Sequence, residues 1–341
     1  MRVGVVGYGW VAEAHIQSFN EIEGVEVTAV CSRRPLDPAE LSARHGSNIT
    51  VFNDFRQMCA SPDIDIVSIC TPNSYHPEQV EIAARAGKHL VIEKPLAIDL
   101  EGVNRVERAV RESGVQAVVC FEVKMIGHLQ TVRDAVDRGL LGEIHYGECD
   151  YYHGIGPWYR QYEWNRRAAL GGSSLLTAGC HALDALLWLL GSRPVEVTAY
   201  ATQSSEPIFA AYEYPTTVVT IMRFDNGVVA KTASSIDCIQ PYLFNLHLVG
   251  SKGSIWNDKF HTNLLSGLDK SGWSRFNTQL ADSGDVAHHP YRALFEDFIE
   301  ALRENRPPRF SFEDAVFSHR VCLAADRSVA TGRPVRLSEV V

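Results

Sequence analysis

The chain has 341 residues, 45% hydrophobic and 21% charged, which fits a soluble globular protein and excludes a disordered, collagenous or coiled-coil one. At roughly 150 residues per domain, this length predicts two domains. The formal charge of −9 divides into −5 over residues 1–121 and −4 over the rest, so neither part is a basic module for nucleic acid.

Up to Phe121 the chain alternates apolar runs with helical patterns. Val3–Val6, Val25–Cys31, Ile64–Cys70, His89–Ile92 and Gln116–Phe121 read as strands, with helices at Val11–Phe19, Pro77–Ala86 and Leu100–Arg111. This alternation indicates βαβ units, which right-handed crossovers build into a doubly wound parallel sheet. After Phe121 the pattern changes. A helix around Leu129–Arg138 leads to a strand at Ile144–Tyr152, a polar, aromatic stretch to Ser174 and a long apolar helix ending at Leu190. Strands then follow at Val195–Ala201, Thr217–Phe224, Val228–Ile236 and Phe244–Val249, with Asp225-Asn226-Gly227 as a hairpin turn signal. Residues 264–285 read as a loop, and helices at Arg292–Glu304 and Phe312–Ala330 close the chain. The fold class is α/β, with a parallel sheet over 1–121 and an α+β domain with a mixed or antiparallel sheet over 122–341.

Gly7-Tyr8-Gly9-Trp10-Val11-Ala12 fits G-x-G-x-x-A between the first strand and the first helix. Gly7 permits the tight turn, Gly9 lets backbone approach a pyrophosphate, and Ala12 allows close packing of helix on strand. Trp10 and Val11 open the helix, whose N–H groups and partial positive charge suit phosphates. This predicts a Rossmann-type dinucleotide domain. The second strand ends Cys31-Ser32-Arg33-Arg34 without the acid that usually accepts from a ribose 2′-hydroxyl. Ser32 and Arg33 suit a 2′-phosphate, so NADP is favoured over NAD, the alternative being a solvated arginine turn.

Glu93-Lys94-Pro95 follows the His89–Ile92 strand. Ligands of such sheets bind at the carboxyl ends of the strands, where a lysine can polarise a hydroxyl or carry a proton. Pro95 restricts the backbone there and allows a cis peptide. The helix Leu175–Leu190 carries Thr177, His181, Asp184 and Trp188 at spacings of four, three and four, on one face. Trp158, Tyr159, Tyr162 and Trp164 crowd seven positions and suit stacking on a sugar or packing within the domain. His153, His288 and His289 lack metal-ligand spacing and read as surface or loop residues, and no metal site is expected.

With these motifs in order, the chain resembles the glucose–fructose oxidoreductase / inositol dehydrogenase / MocA (Gfo/Idh/MocA) family of NAD(P)-dependent oxidoreductases. The resemblance runs from Gly7-x-Gly9-x-x-Ala12 through Cys70-Thr71-Pro72-Asn73 with His76, Ala86-Gly87-Lys88-His89 and Glu93-Lys94-Pro95. It continues through Gly171-Gly172-Ser173 and Gly179-x-His181-x-x-Asp184 to Cys322–Ser328. It implies a second domain with an open, largely antiparallel sheet, homo-oligomers (dimer or tetramer) built on that sheet, and a sugar, inositol or related polyol as substrate. It also implies that Lys94 and His181 are catalytic and that Thr71, Pro72, Asn73, His76, Glu93 and Lys94 line the cofactor. The substrate would meet Lys94, Thr177, His181 and, where the family frequently has arginine, Lys124, together with Trp158, Tyr159 and Trp164. The family usually has aspartate where this chain has Thr177, which cannot stabilise an imidazolium by charge; Asp184 is the other residue placed to orient His181. Two other readings are a cofactor-binding regulator of the same fold and a hydrolase or epimerase that cycles bound NAD.

The eight cysteines form no pair closer than eleven residues, which excludes C-x-x-C zinc or redox pairs and predicts reduced, buried thiols. The chain does not open as a signal peptide does, and no uncharged apolar segment approaches the roughly eighteen residues of a membrane span. A cytoplasmic protein with neither membrane nor nucleic acid as partner is expected.

Overall fold

The computed structural model describes residues 1–282 and 284–340. The chain divides into two compact units, Met1–Glu122 with His289–Phe317, and Val123–His288 with Ser318–Val341.

The first unit is built on six strands, β1 (Arg2–Val6), β2 (Glu26–Cys31), β3 (Thr50–Phe52), β4 (Ile66–Ile69), β5 (His89–Ile92) and β6 (Ala117–Val119). All pair in parallel in the order β3-β2-β1-β4-β5-β6. Val3, Val5, Ile66, Val67, Leu90 and Val91 are fully buried, as expected of strands covered on both faces. The crossovers are α1 (Trp10–Asn20), α2 (Pro38–His45), α3 (Phe55–Ala60), α4 (His76–Arg85) and α5 (Leu100–Ser113). Asp37, Asp54 and Asp99 start α2, α3 and α5 by accepting backbone N–H bonds. The strand order reverses between β1 and β4, and the crevice at such a reversal is where these sheets bind ligands.

The second unit opens with α6 (Gly127–Asp137) and β7 (Ile144–Tyr152). Short helices α7 (Tyr162–Asn165) and α8 (Ala168–Gly171) precede a π turn, Leu175–Gly179, which runs into α9 (Cys180–Leu190). Then come β8 (Pro194–Thr202), α10 (Pro207–Ala210), β9 (Thr217–Phe224), β10 (Val229–Ser235), β11 (Leu243–Gly250), β12 (Gly253–Trp256), β13 (Lys259–Thr262) and β14 (Ser274–Arg275). Their sheet, closed at one edge by β15 (Val335–Arg336), runs β14-β13-β12-β11-β7-β10-β9-β8-β15. Among the described residues, only the β7–β10 pairing of this sheet is parallel. Asp225-Asn226-Gly227 makes the β9–β10 hairpin, with Gly227 at φ +86°. One face of the sheet packs on α9, where Gly147 leaves room for Leu186 and Leu190. On the other face, Tyr200 opposite Val219 and Ile221 on β9 remain exposed. The stretch Ala168–Leu190 is long and apolar enough to cross a membrane, but 83% of its apolar window is buried in the protein interior.

The last helices are α11 (Tyr291–Glu304) and α12 (Phe312–Thr331). A boundary at residue 121 assigns α11 to the second domain, whereas the structure returns it to the first unit. Its buried face of Tyr291, Leu294, Phe295 and Phe298 covers α1, and Phe295 stacks on Phe19 at 4.3 Å. Amphipathic spacing reveals such a face without revealing its partner. The elements absent from the sequence reading, β3 and β12–β15 among the strands and α2, α3, α7, α8 and α10 among the helices, are all short.

Candidate functional site

At the end of β1, Gly7 has φ +87°, and an added Cβ would lie 2.7 Å from the Cys70 carbonyl oxygen. Only glycine fits there. Gly9 caps α1 without a side chain, and a Cβ on it would meet no atom within 4 Å. Ala12 is fully buried. Trp10 and Val11 occupy the first turn of α1. The loop therefore offers an open approach to the N-terminus of an eleven-residue helix, which fits the pyrophosphate of a dinucleotide.

At the end of β2, Ser32 is buried and its Oγ accepts from the Arg34 N–H at 3.1 Å. The Arg33 guanidinium lies 5.2 Å from the Tyr75 ring centroid, and that of Arg34 donates to the Tyr8 carbonyl. Both arginines are exposed, Arg34 tied to the Gly7–Gly9 loop and Arg33 lying by Tyr75.

At the end of β4, Thr71 Oγ1 donates to Gln79 Oε1 at 2.6 Å, Pro72 leads into a 3₁₀ turn and Asn73 is buried. His76 is fully buried, with its ring nitrogens 2.8 Å from the Thr71 carbonyl and 2.7 Å from the Pro95 carbonyl. Burial lowers its pKa, although the two carbonyls oppose this. Its ring thereby ties the loop after β4 to the turn after β5.

At the end of β5, Lys94 is half-buried and joined to Pro95 by a cis peptide. Glu93 is buried and serves the interior. Its Oε1 lies 3.0 Å from His15 Nε2 and accepts from the Tyr291 hydroxyl at 2.9 Å. His15 Nδ1 meets Ser68 Oγ at 2.8 Å and Cys70 Sγ at 3.4 Å. His15, Glu93 and Cys120 bring three donor atoms of metal-ligating type within 4.8 Å of one another, but the His15–Glu93 contact already has the geometry of an ion pair. Burial would lower the pKa of His15, yet Cys70 and Glu93 outweigh it and raise it from 6.5 to about 10. Burial would likewise raise Glu93, yet the His15 hydrogen bond and charge, helped by Lys94 and Tyr291, hold it down at about 2. The Glu93 contribution to stability is therefore present above its ordinary 4.5 and lost as the pH falls towards 2. The His15 contribution is complete below 6.5 and lost as the pH rises through about 10. The gap in urea midpoint between the native protein and a His15→Gln, Glu93→Gln double variant is expected to peak near pH 5–6 and narrow towards pH 10. A gap that widens on that side would refute the charged pair.

In the second unit, Lys124 is buried and its Nζ lies 2.6 Å from Asp184 Oδ2, while Ser318 Oγ donates to Asp184 Oδ1 at 2.7 Å. Both carboxylate oxygens are engaged, so Lys124 and Asp184 anchor the base of α9. His181 is buried in the first turn of α9, with its ring stacked on Tyr151 at 6.5 Å. Thr177, in the π turn, donates from Oγ1 to the Ser173 carbonyl at 2.6 Å, and Ser173 Oγ donates to Asp326 at 2.7 Å. Burial pushes the Asp326 carboxyl up to about 6, against the Ser173 bond. π turns recur at functional sites.

Tyr151 also packs edge-on against Tyr242 at 5.4 Å and meets His153 Nδ1 through its hydroxyl at 3.2 Å. Tyr242 and His153 line a cavity of about 600 Å³ within this unit. Trp158 and Phe209 form one wall, and Asp282, Asp285 and His288 contribute polar groups. Of the four crowded aromatics, Trp158 lines the cavity and Tyr159 packs on His153 at 5.6 Å. Tyr162 is buried, donating to the Ile208 carbonyl at 2.5 Å, and Trp164 is half-buried in α7. His153, His288 and His289 lie in loop segments outside the strands and α-helices, and His288 is exposed. His153 and His288 line the cavity, while the nearly buried His289 side chain pairs with Glu122 at 2.8 Å. His15 and Tyr151 went unnoticed in the sequence, though each lies among buried neighbours of a regular element.

Residues 1–121 match the family model described as "Oxidoreductase family, NAD-binding Rossmann fold", and residues 129–256 match the "GFO/IDH/MocA C-terminal domain". The chain is 25% identical over 342 residues to the myo-inositol 2-dehydrogenase of Thermotoga maritima, covering 100% of both chains. It is 28% identical over 268 residues to the D-glucoside 3-dehydrogenase of Escherichia coli, covering 74% of this chain and 75% of that one. Its fold superposes on that of levoglucosan dehydrogenase, solved with NADH and levoglucosan, with a TM-score of 0.86 at 22% identity and 99% coverage of both chains. The chain belongs to the GFO/IDH/MocA family and is an NAD(P)-dependent oxidoreductase.

Proposed function

We propose that the protein transfers hydride between a nicotinamide and a secondary alcohol or ketone of a sugar, inositol or related polyol, with NADP preferred over NAD. The observation that carries this reading is the placement of Lys94 at the carboxyl end of β5, in the same parallel sheet as the Gly7–Ala12 loop. The names of the relatives, which act on an inositol and a glucoside, support the substrate class. A bound nicotinamide supplies the hydride chemistry itself. Gly7, Gly9 and the N-terminus of α1 would hold the dinucleotide's diphosphate, and Thr71, Pro72 and Asn73 would line the cofactor. Lys94 polarises the reacting oxygen. His181 exchanges the hydroxyl proton, with Thr177 and Tyr151 fixing its surroundings.

The cofactor preference rests on Ser32, Arg33 and Arg34 standing where an acid would disfavour a 2′-phosphate. Fluorescence titration is expected to show NADP(H) bound more tightly than NAD(H), with the advantage lost in Arg33→Ala. An NAD(H) preference unchanged by that substitution would overturn it. Reduced-nicotinamide absorbance measured across a panel of inositols, hexoses and glycosides tests the reaction. No turnover with any member would defeat the substrate reading.

A further inference from the structure

We propose that the second-unit cavity takes a glycoside of two sugar rings, with Trp158 as the platform for the ring that does not react. The proposal rests on the oxidoreductase reading above and names its substrate class more narrowly. Among its lining residues, Tyr242 and His153 both touch Tyr151, whose ring stacks on His181. Trp158, open to solvent, and the buried Phe209 also line it, crossed at 89° with centroids 6.4 Å apart.

Trp158 is 66% exposed, and yet it is held. Its Nε1 donates to the Gly154 carbonyl at 3.1 Å, and its ring lies against Gly156, where an added Cβ would come within 2.5 Å of it. An exposed indole fixed by backbone on two sides loses little freedom when a flat ligand covers it. Its ring face suits the C–H face of a pyranose. Asp282, Asp285 and His288 line the same cavity and can accept from or donate to sugar hydroxyls. A volume of about 600 Å³ falls within the roughly 300–1,000 Å³ of sites for drug-sized ligands, which are larger than one hexose.

The test is equilibrium binding to the full-length protein, read by intrinsic tryptophan fluorescence, with a hexose, its methyl glycoside, its phenyl glycoside and a disaccharide as ligands. The disaccharide is expected to bind at least tenfold more tightly than the hexose or methyl glycoside, and more tightly than the phenyl glycoside. In Trp158→Ala, read by calorimetry, the disaccharide-to-hexose ratio should fall about tenfold, the scale of losing one stacked ring. Gly156→Ala keeps the indole but displaces it, and should lower the same ratio. Equal affinity for one ring and two, a ratio unchanged in both variants, or a phenyl glycoside bound best would each overturn the proposal. Turnover is scored separately. Binding with the expected ratios but no hydride transfer would retain the two-ring site and refute only the redox reading.

Discussion

His181→Ala is expected to lower turnover by on the order of 10²–10⁴, the usual value of one positioned proton carrier, with dinucleotide affinity retained. Lys94→Ala should cost at least as much, because it removes a positive charge beside the oxygen where negative charge develops. Lys94→Arg should not rescue it, since a planar fork does not replace a compact ammonium. Thr177→Asp separates two roles for the altered position. The threonine hydroxyl donates to the Ser173 carbonyl, a bond that an ionised aspartate cannot make. Loss of sugar binding with intact dinucleotide affinity is therefore expected, as for a residue that shapes the substrate side. Undiminished turnover in Thr177→Asp would mean that the threonine merely fills the family's aspartate position. Full activity in His181→Ala, measured by steady-state kinetics, would remove the proton carrier from the proposed mechanism.

The second large effect is one of stability. Lys124→Met would leave Asp184 with an uncompensated charge at 2% exposure, and breaking a buried pair from one side costs roughly 3–5 kcal/mol. For domains of this size that corresponds to a fall in Tm of roughly 6–20 °C. The double variant Lys124→Met, Asp184→Leu should recover much of the loss, because it removes the buried carboxylate as well. Calorimetry on the three proteins checks this. A raised KM with an almost unchanged Tm would show instead that Lys124 acts on the substrate rather than on stability.

Local signals made the first sheet legible. Gly7, Gly9 and Ala12 act through contacts with adjacent strand and helix, and the apolar runs lie continuously in sequence. The Asp225-Asn226-Gly227 hairpin was readable for the same reason, since its turn geometry is set by three consecutive residues. What stayed hidden depends on pairing across long separations. α11 was recognisable as a helix, but only the fold shows that Phe295 and Tyr291 complete the first unit. The Lys124–Asp184 pair stayed hidden because its partners lie sixty residues apart, one of them in an apolar helix. The cavity draws on loops near residues 154, 209, 240 and 285, and no single stretch of sequence marks it. His15 illustrates the limit most plainly. A histidine on the buried side of a helix carries no mark that distinguishes a neutral core residue from half of an ion pair.

The π turn at Leu175–Gly179 has a consequence for how this helix can be compared with others. A π turn holds one residue more than the α-helical turn it interrupts. Side chains after Gly179 are therefore rotated out of phase with those before Leu175, and the spacing of four between Thr177 and His181 does not have the meaning it has in a regular helix. The direction in which His181 points is thus encoded in the number of residues preceding it as much as in their identity. Two chains could match at each of Thr177, His181 and Asp184 and still present different faces, if one lacked the inserted residue. Length, at this point in the chain, is itself a functional character.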